Sequence, residues 1–165
     1  MDSPINKPGD ISKISSSSPD QTFAAGKEIS GYLSPGAVIA LSGTLGSGKT
    51  QLAKGIASGL GITENLTSPT YTIVNEYRLT ESKEAAFYHI DVYRLENEKD
   101  FEDIGGEDIL NSNGICVIEW SERIAKLLPD DCICVSIEIT GDSSRLIQVS
   151  RLRNRDSEYL NAREK

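Results

Sequence analysis

Ala37-Val38-Ile39-Ala40-Leu41-Ser42-Gly43-Thr44-Leu45-Gly46-Ser47-Gly48-Lys49-Thr50 is the stretch from which the rest of the chain can be read. Its first five residues are apolar without alternation, the pattern of a strand buried on both faces in a parallel sheet. They run into Gly-x4-Gly-Lys-Thr, the phosphate-binding loop pattern. Beyond it, Leu52, Ile56 and Leu60 recur at i, i+4 and i+8 and predict an amphipathic helix, with Gly59 and Gly61 suited to its end. Strand, glycine loop and helix in this order give the pattern its chemistry. Glycines let successive N–H groups converge on phosphate oxygens, and the helix N-terminus adds its positive end. Leu45, Gly46, Ser47 and Gly48 belong to that cradle, Lys49 is expected at the β- and γ-phosphates, and the Thr50 hydroxyl on Mg²⁺. A glycine-rich turn with a stray lysine would explain the eight residues alone but not their flanks.

Upstream, Phe23, Ala24, Lys27, Glu28, Ile29 and Leu33 follow a helical pattern that begins near Thr22 and stops at Pro35-Gly36. Residues 1–20, with Ser15-Ser16-Ser17-Ser18-Pro19, are poor in apolar side chains and are expected to form a mobile Ser-rich tail. Downstream, Thr72–Leu79 and Ala85–Asp91 are β-rich and read as an antiparallel hairpin. Short helices are expected around Gly105-Gly106, in a segment, Glu96–Asp108, that holds seven acids against one lysine. Gly114–Trp120 is a second continuous apolar strand, followed by a helix over Ser121–Leu128 that ends at Pro129. Asp131–Thr140 and Ser143–Leu152 form another hairpin across Gly141-Asp142. Strands alternating with helices make the chain α/β: a P-loop NTPase three-layer sandwich, its mixed sheet having a parallel core and antiparallel hairpins. The ATPase domain is placed at residues 21–153 and a polar basic tail at 154–165.

The chain's 165 residues suit one domain, and a 38% hydrophobic content suffices for a core without disulfide or metal staples. With 17 basic against 25 acidic residues the net charge is −8, which argues against nucleic-acid binding by a general basic footprint. No apolar run approaches the ~18 residues of a membrane span, and no export signal is visible, so a cytoplasmic address is expected. Cys116, Cys132 and Cys134 alternate with Ile and Val and read as small buried hydrophobes in a reducing compartment.

A P-loop site also needs a carboxylate that reaches the metal from a neighbouring strand. Phe87–Asp91 and Ile115–Glu119 are apolar strands that end in an acid, where ligands bind in open α/β sheets. Asp91 is assigned as metal ligand and Glu119 as a metal- or water-orienting acid; a simple strand-end cap is the alternative for each. Thr70, in Thr67-Ser68-Pro69-Thr70-Tyr71-Thr72, stands where nucleotide switches sense a γ-phosphate through Mg²⁺. His89, the sole histidine, shares a strand face with Asp91 and reads as a hydrogen-bonded support. Trp120 is either core or partner-facing. ATP is preferred over GTP because no guanine-reading Asn/Thr-Lys-x-Asp follows a strand.

Four segments together (Gly43–Thr50 with Leu45-Gly46, Ser68–Thr72, His89-Ile90-Asp91-Val92-Tyr93-Arg94-Leu95, and Ile118-Glu119-Trp120) give a chain that resembles the TsaE (YjeE) family. These are small bacterial ATPases of tRNA threonylcarbamoyladenosine synthesis, and the resemblance covers about Thr22–Leu152. It implies ATP and Mg²⁺ as cofactors, TsaD and TsaB homologues as partners, and tRNA met indirectly through that complex, with hydrolysis weak alone and resetting the assembly. It further implies Lys49 and Thr50 at phosphate and Mg²⁺, Thr70 as switch threonine, Asp91 supporting the metal and Glu119 as the Walker-B-like acid. Thr22 matches a threonine near the adenine, and Trp120 an aromatic by the site. Thr44 departs from the usual Asp, and Lys54 stands where arginine is common. Two other readings fit a small P-loop protein: a small-molecule kinase, against which the acidic stretch after Arg94 argues, and a non-hydrolysing nucleotide-sensing module.

Overall fold

The computed structural model describes residues 11–79 and 85–151. Seven strands form one sheet: β1 (Ile11–Ser16), β2 (Val38–Ser42), β3 (Val74–Arg78), β4 (Ala86–Asp91), β5 (Ile115–Glu119), β6 (Ile133–Ile139) and β7 (Arg145–Arg151). Helices α1 (Pro19–Ser30), α2 (Lys49–Gly59), α3 (Glu98–Asp103) and α4 (Gly106–Leu110), with a 3₁₀ segment at Ser121–Leu127, complete it. The spatial order is β1-β7-β6-β2-β5-β4-β3. β6, β2, β5 and β4 run parallel, whereas β1, β7 and β3 pair antiparallel at the two sides. The structure thus shows the expected α/β class, with a mixed sheet and a parallel core.

Alternation along the central strands sorts the core into two layers. Ile39 and Leu41 face Leu52, Ile56, Ala25 and Ile29, under α1 and α2. Val38 and Ala40 face the opposite layer, with Phe101, Leu110, Ile118 and Ile124. Cys116, Cys132 and Cys134 are free thiols buried in that second layer, and desolvation raises the Cys116 thiol to about 12. With both faces covered, β2 and β5 need no polar alternation, which is why each reads as a continuous apolar run.

Two expectations need correction. Residues 11–20 are not a tail: Ile11–Ser16 pairs with β7 over six residues, from Ile11↔Ser150 to Ser16↔Arg145. Only Ser16 is buried in β1, so the strand rests on its main-chain ladder rather than on apolar burial, and composition carries no sign of it. The Ser-Pro pair is a helix start: the Ser18 hydroxyl accepts from the Gln21 N–H and Pro19 opens the first turn, so α1 begins three residues before Thr22. The helix expected at Ser121–Leu128 is instead 3₁₀, with Ile124 outside helical geometry at φ −125°. Residues 1–10 of the expected N-terminal tail, the Thr80–Glu84 connection and the expected basic tail at 154–165 lie outside the described residues.

The α1–α2 contact bears on the site. A Cβ on Gly55 would enter the Phe23 carbonyl, and one on Gly26 the Leu52 carbonyl, so the two backbones touch. That close approach sets Thr22 of α1 against the glycine loop: a Cβ on Gly48 would lie 3.4 Å from Thr22 Cγ2.

Candidate active site

The loop from β2 to α2 turns through Gly43, Gly46 and Gly48, whose φ angles are +150°, +78° and +108°. A side chain at the last two would be strained, and one at Gly43 would meet the Ile137 carbonyl and the Ser47 hydroxyl, each at 2.6 Å. Gly48 caps α2 with no side-chain hydrogen bond, leaving the helix's first donors to a ligand. Lys49 folds back over the loop. Its Nζ donates to the carbonyls of Gly43 (2.7 Å) and Thr44 (3.0 Å) and sits 3.9 Å from the centre of the Trp120 ring. Burial lowers its pKa, while Glu119, Glu122 and Asp91 oppose that shift.

The two strand-end acids meet here. Asp91 and Glu119 are register partners on β4 and β5, and Glu119 is the partner of Leu41, the residue two before the loop. Thr50 Oγ1 donates to Glu119 Oε1 at 2.6 Å, and His89 Nε2 lies 2.9 Å from Glu119 Oε2. A carboxylate accepts, so the ring hydrogen belongs on Nε2; among the described residues, Nδ1 of this fully buried histidine has no hydrogen-bond partner. Asp91 Oδ1 accepts the Tyr93 N–H at 2.9 Å. Burial raises the Asp91 pKa; the Tyr93 N–H opposes this and the Glu119 charge adds to it.

Thr70 reaches the same cleft from the segment before β3. Its hydroxyl lies 2.8 Å from that of Ser68. The segment is fixed through Ile73, whose N–H donates to the Pro69 carbonyl (2.7 Å) and whose carbonyl accepts from the Asp91 N–H (2.9 Å). Ile73 holds φ +66°, a conformation costly for a β-branched residue, and Trp120 holds +59° directly after Glu119. The turn at Trp120 brings its ring to the cleft wall, 4.8 Å from the ring of Tyr93.

The cleft encloses about 480 Å³, and Leu45, Gly46, Gly48, Lys49, Thr50, Thr70, Asp91, Glu119 and Trp120 all line it. Thr22 and Ser47 do not. They line a second hollow of about 490 Å³ that shares Gly46, Gly48 and Gln51 with the first. Thr22 is buried there, its hydroxyl 2.8 Å from that of Ser16. Sequence reasoning missed Tyr93, Ser68 and Arg145 at these two hollows. Arg145 donates to loop carbonyls from 98 and 99 residues away, a separation at which no local pattern gives a signal.

The residues fit a nucleoside triphosphate with Mg²⁺. The cradle has open positive-φ glycines, and the oxygens of Thr50, Asp91 and Glu119 are the hard ligands magnesium takes. Among the described residues no cluster of three or more His, Cys, Asp or Glu side chains could hold a metal.

Comparison with known proteins gives the family. Residues 16–147 match the family model of the threonylcarbamoyl adenosine biosynthesis protein TsaE. The chain is 42% identical over 137 residues to the tRNA threonylcarbamoyladenosine biosynthesis protein TsaE of Treponema pallidum, covering 82% of this chain and 97% of that one. It is 39% identical to the Bacillus subtilis protein of the same name, covering 83% and 84%. The crystal structure of Bacillus subtilis YdiB superposes with a TM-score of 0.69 at 31% identity, over 92% of this chain and 93% of that one. With a glycine loop, two strand-end acids and a matched sequence that spans the sheet from the end of β1 into β7, this chain belongs to the TsaE family.

Proposed function

We propose that this chain is a Mg²⁺-dependent ATP-binding and hydrolysing component of the tRNA threonylcarbamoyladenosine machinery. It acts in the cytoplasm with TsaD and TsaB homologues and resets their complex between turnovers. The observation that carries the reading is the hydrogen-bonded line Thr50–Glu119–His89 at the edge of the phosphate loop. The names of the Treponema and Bacillus relatives supply the pathway. No helix among the described residues is long and apolar enough to cross a membrane.

In this reading Lys49 leaves the carbonyls of Gly43 and Thr44 for phosphate oxygens. Its charge is already in the cleft, so the exchange replaces two neutral acceptors by an anionic one. Mg²⁺, when bound, would supply charge neutralisation to the phosphates. Thr50, whose hydroxyl hydrogen goes to Glu119, would hold the ion through its oxygen, with Asp91, the register partner of Glu119, in support. Glu119 uses one lone pair on each oxygen for Thr50 and His89; the carboxylate's remaining acceptor sites orient a water. Thr70 reports the γ-phosphate to the segment tied to Asp91. Thr22, which the family resemblance puts near the adenine, would meet that side of the ligand from the second hollow, whose lining includes Gly46 and Gly48.

A small-molecule kinase fits less well, because its phosphate lid would have to come from the segment after Arg94. That segment is acidic, and Arg94 itself is stacked on Tyr71, 4.3 Å from the ring centre. Single-turnover ATP hydrolysis with and without the TsaD–TsaB pair tests the proposal. Stimulation by the pair is expected. Unchanged hydrolysis overturns the partner-dependent reading, and phosphate transfer to a metabolite would replace it by the kinase.

A further inference from the structure

Arg145 opens β7, opposite Ser16 of β1 and Ile139 of β6, and its guanidinium is spent on main-chain oxygens. Nε donates to the Ser47 carbonyl (3.0 Å) and Nη2 to the Gly46 carbonyl (3.2 Å). Nη1 donates to Ser144 (2.8 Å) and Gly141 (3.2 Å) within its own hairpin. One planar group therefore fastens the β6–β7 turn to two consecutive peptides of the glycine loop.

The consequence follows from peptide geometry. In a trans peptide the C=O and N–H of one unit point in opposite directions. Holding the Ser47 carbonyl at Arg145 turns the N–H of that unit, on Gly48, away from the hairpin. Holding the Gly46 carbonyl does the same for the Ser47 N–H, which here donates to Thr44 at 3.1 Å. Glycines at 46 and 48 leave these peptides with few intrinsic constraints, so their direction has to be imposed from outside. Lys49 steadies the other half of the loop, at Gly43 and Thr44, but that contact ends when the lysine turns to a ligand. Arg145 is not among the residues lining the Lys49 cleft; it meets the loop from the second hollow.

We propose that Arg145 is a positioning residue for the phosphate site, a brace behind the loop that keeps the Gly48 N–H aimed at the anion, and the Ser47 N–H on its turn partner Thr44, after Lys49 has let go. The inference rests on the nucleotide reading above. A lysine would replace it only in part, since one ammonium lacks the fork that spans two loop carbonyls and two hairpin carbonyls together.

The test is calorimetric binding of MgATP and of Mg-tripolyphosphate to the full chain, for the wild type, Arg145→Ala, Arg145→Lys and Lys49→Ala, with thermal unfolding of each. Arg145→Ala is expected to weaken both ligands by the same factor, about tenfold, with Arg145→Lys between it and the wild type. The Gly48 amide resonance of the ligand-free protein is expected to move in Arg145→Ala. Equal affinities in wild type and Arg145→Ala, while Lys49→Ala loses binding, overturn the brace and leave the nucleotide reading standing. Loss for ATP alone overturns it in favour of a direct contact with the nucleoside. Failure of the wild type to bind either ligand overturns the nucleotide reading itself. Should Arg145→Ala not fold, Arg145→Gln and Arg145→Lys carry the same comparison: unchanged affinity for both ligands and an unmoved Gly48 amide overturn the proposal.

Discussion

The parallel centre of the sheet and its β1–β7 flank contribute to the same site by different physics. In the centre, β2, β5 and β4 are buried on both faces and end together, so the loop, Glu119 and Asp91 arrive side by side because the strands are in register. At the flank, β1 and β7 join by an antiparallel ladder, and what they supply is support: Ser16 to Thr22, Arg145 to the loop carbonyls. The centre carries the groups that can act on a ligand, and the flank sets where their backbone points. Substitutions in the two regions therefore fail differently, and the difference can be measured.

The largest effect is expected at the centre. Glu119→Gln keeps the shape of the side chain but removes the charge that faces Thr50 and that the proposed function uses to orient water, and partner-stimulated hydrolysis is expected to fall by about 100-fold or more. ATP affinity, measured by calorimetry, is expected to change much less; full activity in this variant would remove Glu119 from the mechanism. Lys49→Ala is expected to weaken ATP binding by roughly 1.5–3 kcal/mol, the worth of a charge-assisted contact, and unchanged affinity would count against the loop as a phosphate site.

The seam between the two regions comes next. Gly55→Ala forces a methyl group into the Phe23 carbonyl across the α1–α2 contact, and a loss of about 1–3 kcal/mol in urea unfolding is expected. If this variant unfolds like the wild type, the helices are not held backbone to backbone. At the flank, Ser18→Ala removes the cap that accepts the Gln21 N–H, for about 1 kcal/mol, with hydrolysis per folded molecule unchanged. A hydrolysis defect there would blur the division between support and chemistry.

The smallest effect concerns acid at the centre. Burial raises the Asp91 pKa in the folded protein, so the folded state holds its proton to higher pH than the unfolded chain does. Stability from this group is present below the unfolded aspartate range and is lost as pH rises through the folded value. Asp91→Asn is thus expected to raise the unfolding midpoint slightly at neutral pH, and the gain to vanish as pH falls below the ordinary aspartate range. A gain that persists in acid would mean that the carboxylate's charge is not what burial penalises.

How much of this was legible in the chain depends on the range over which each residue acts. Ala37–Leu41 and Ile115–Glu119 announce buried strands because double-sided burial removes polar alternation, and the loop announces itself because its three glycines, the lysine and the threonine all fall within Gly43–Thr50. Strand-end position in a chain with a phosphate-loop pattern picked out Asp91 and Glu119, and the structure brings both to the cleft. β1 was hidden because Ile11–Ser16 exchanges main-chain hydrogen bonds for stability, and a serine-rich edge strand has the composition of a tail. The 3₁₀ geometry after Trp120 was hidden as well, since an apolar, charged segment of seven residues carries no mark of its hydrogen-bond pitch.

By itself, then, the sequence determined the α/β class, the phosphate-loop pattern and the strand-end acids, because each is written in neighbouring residues or in strand periodicity. Only the tertiary structure decided that Glu119 is shared between Thr50 and His89, and that Thr22 sits across the loop from Lys49. It alone also decided that Arg145 holds the loop from behind. These are contacts between segments far apart in the chain. They arise from register and helix docking, and neither leaves a local trace in the order of the residues.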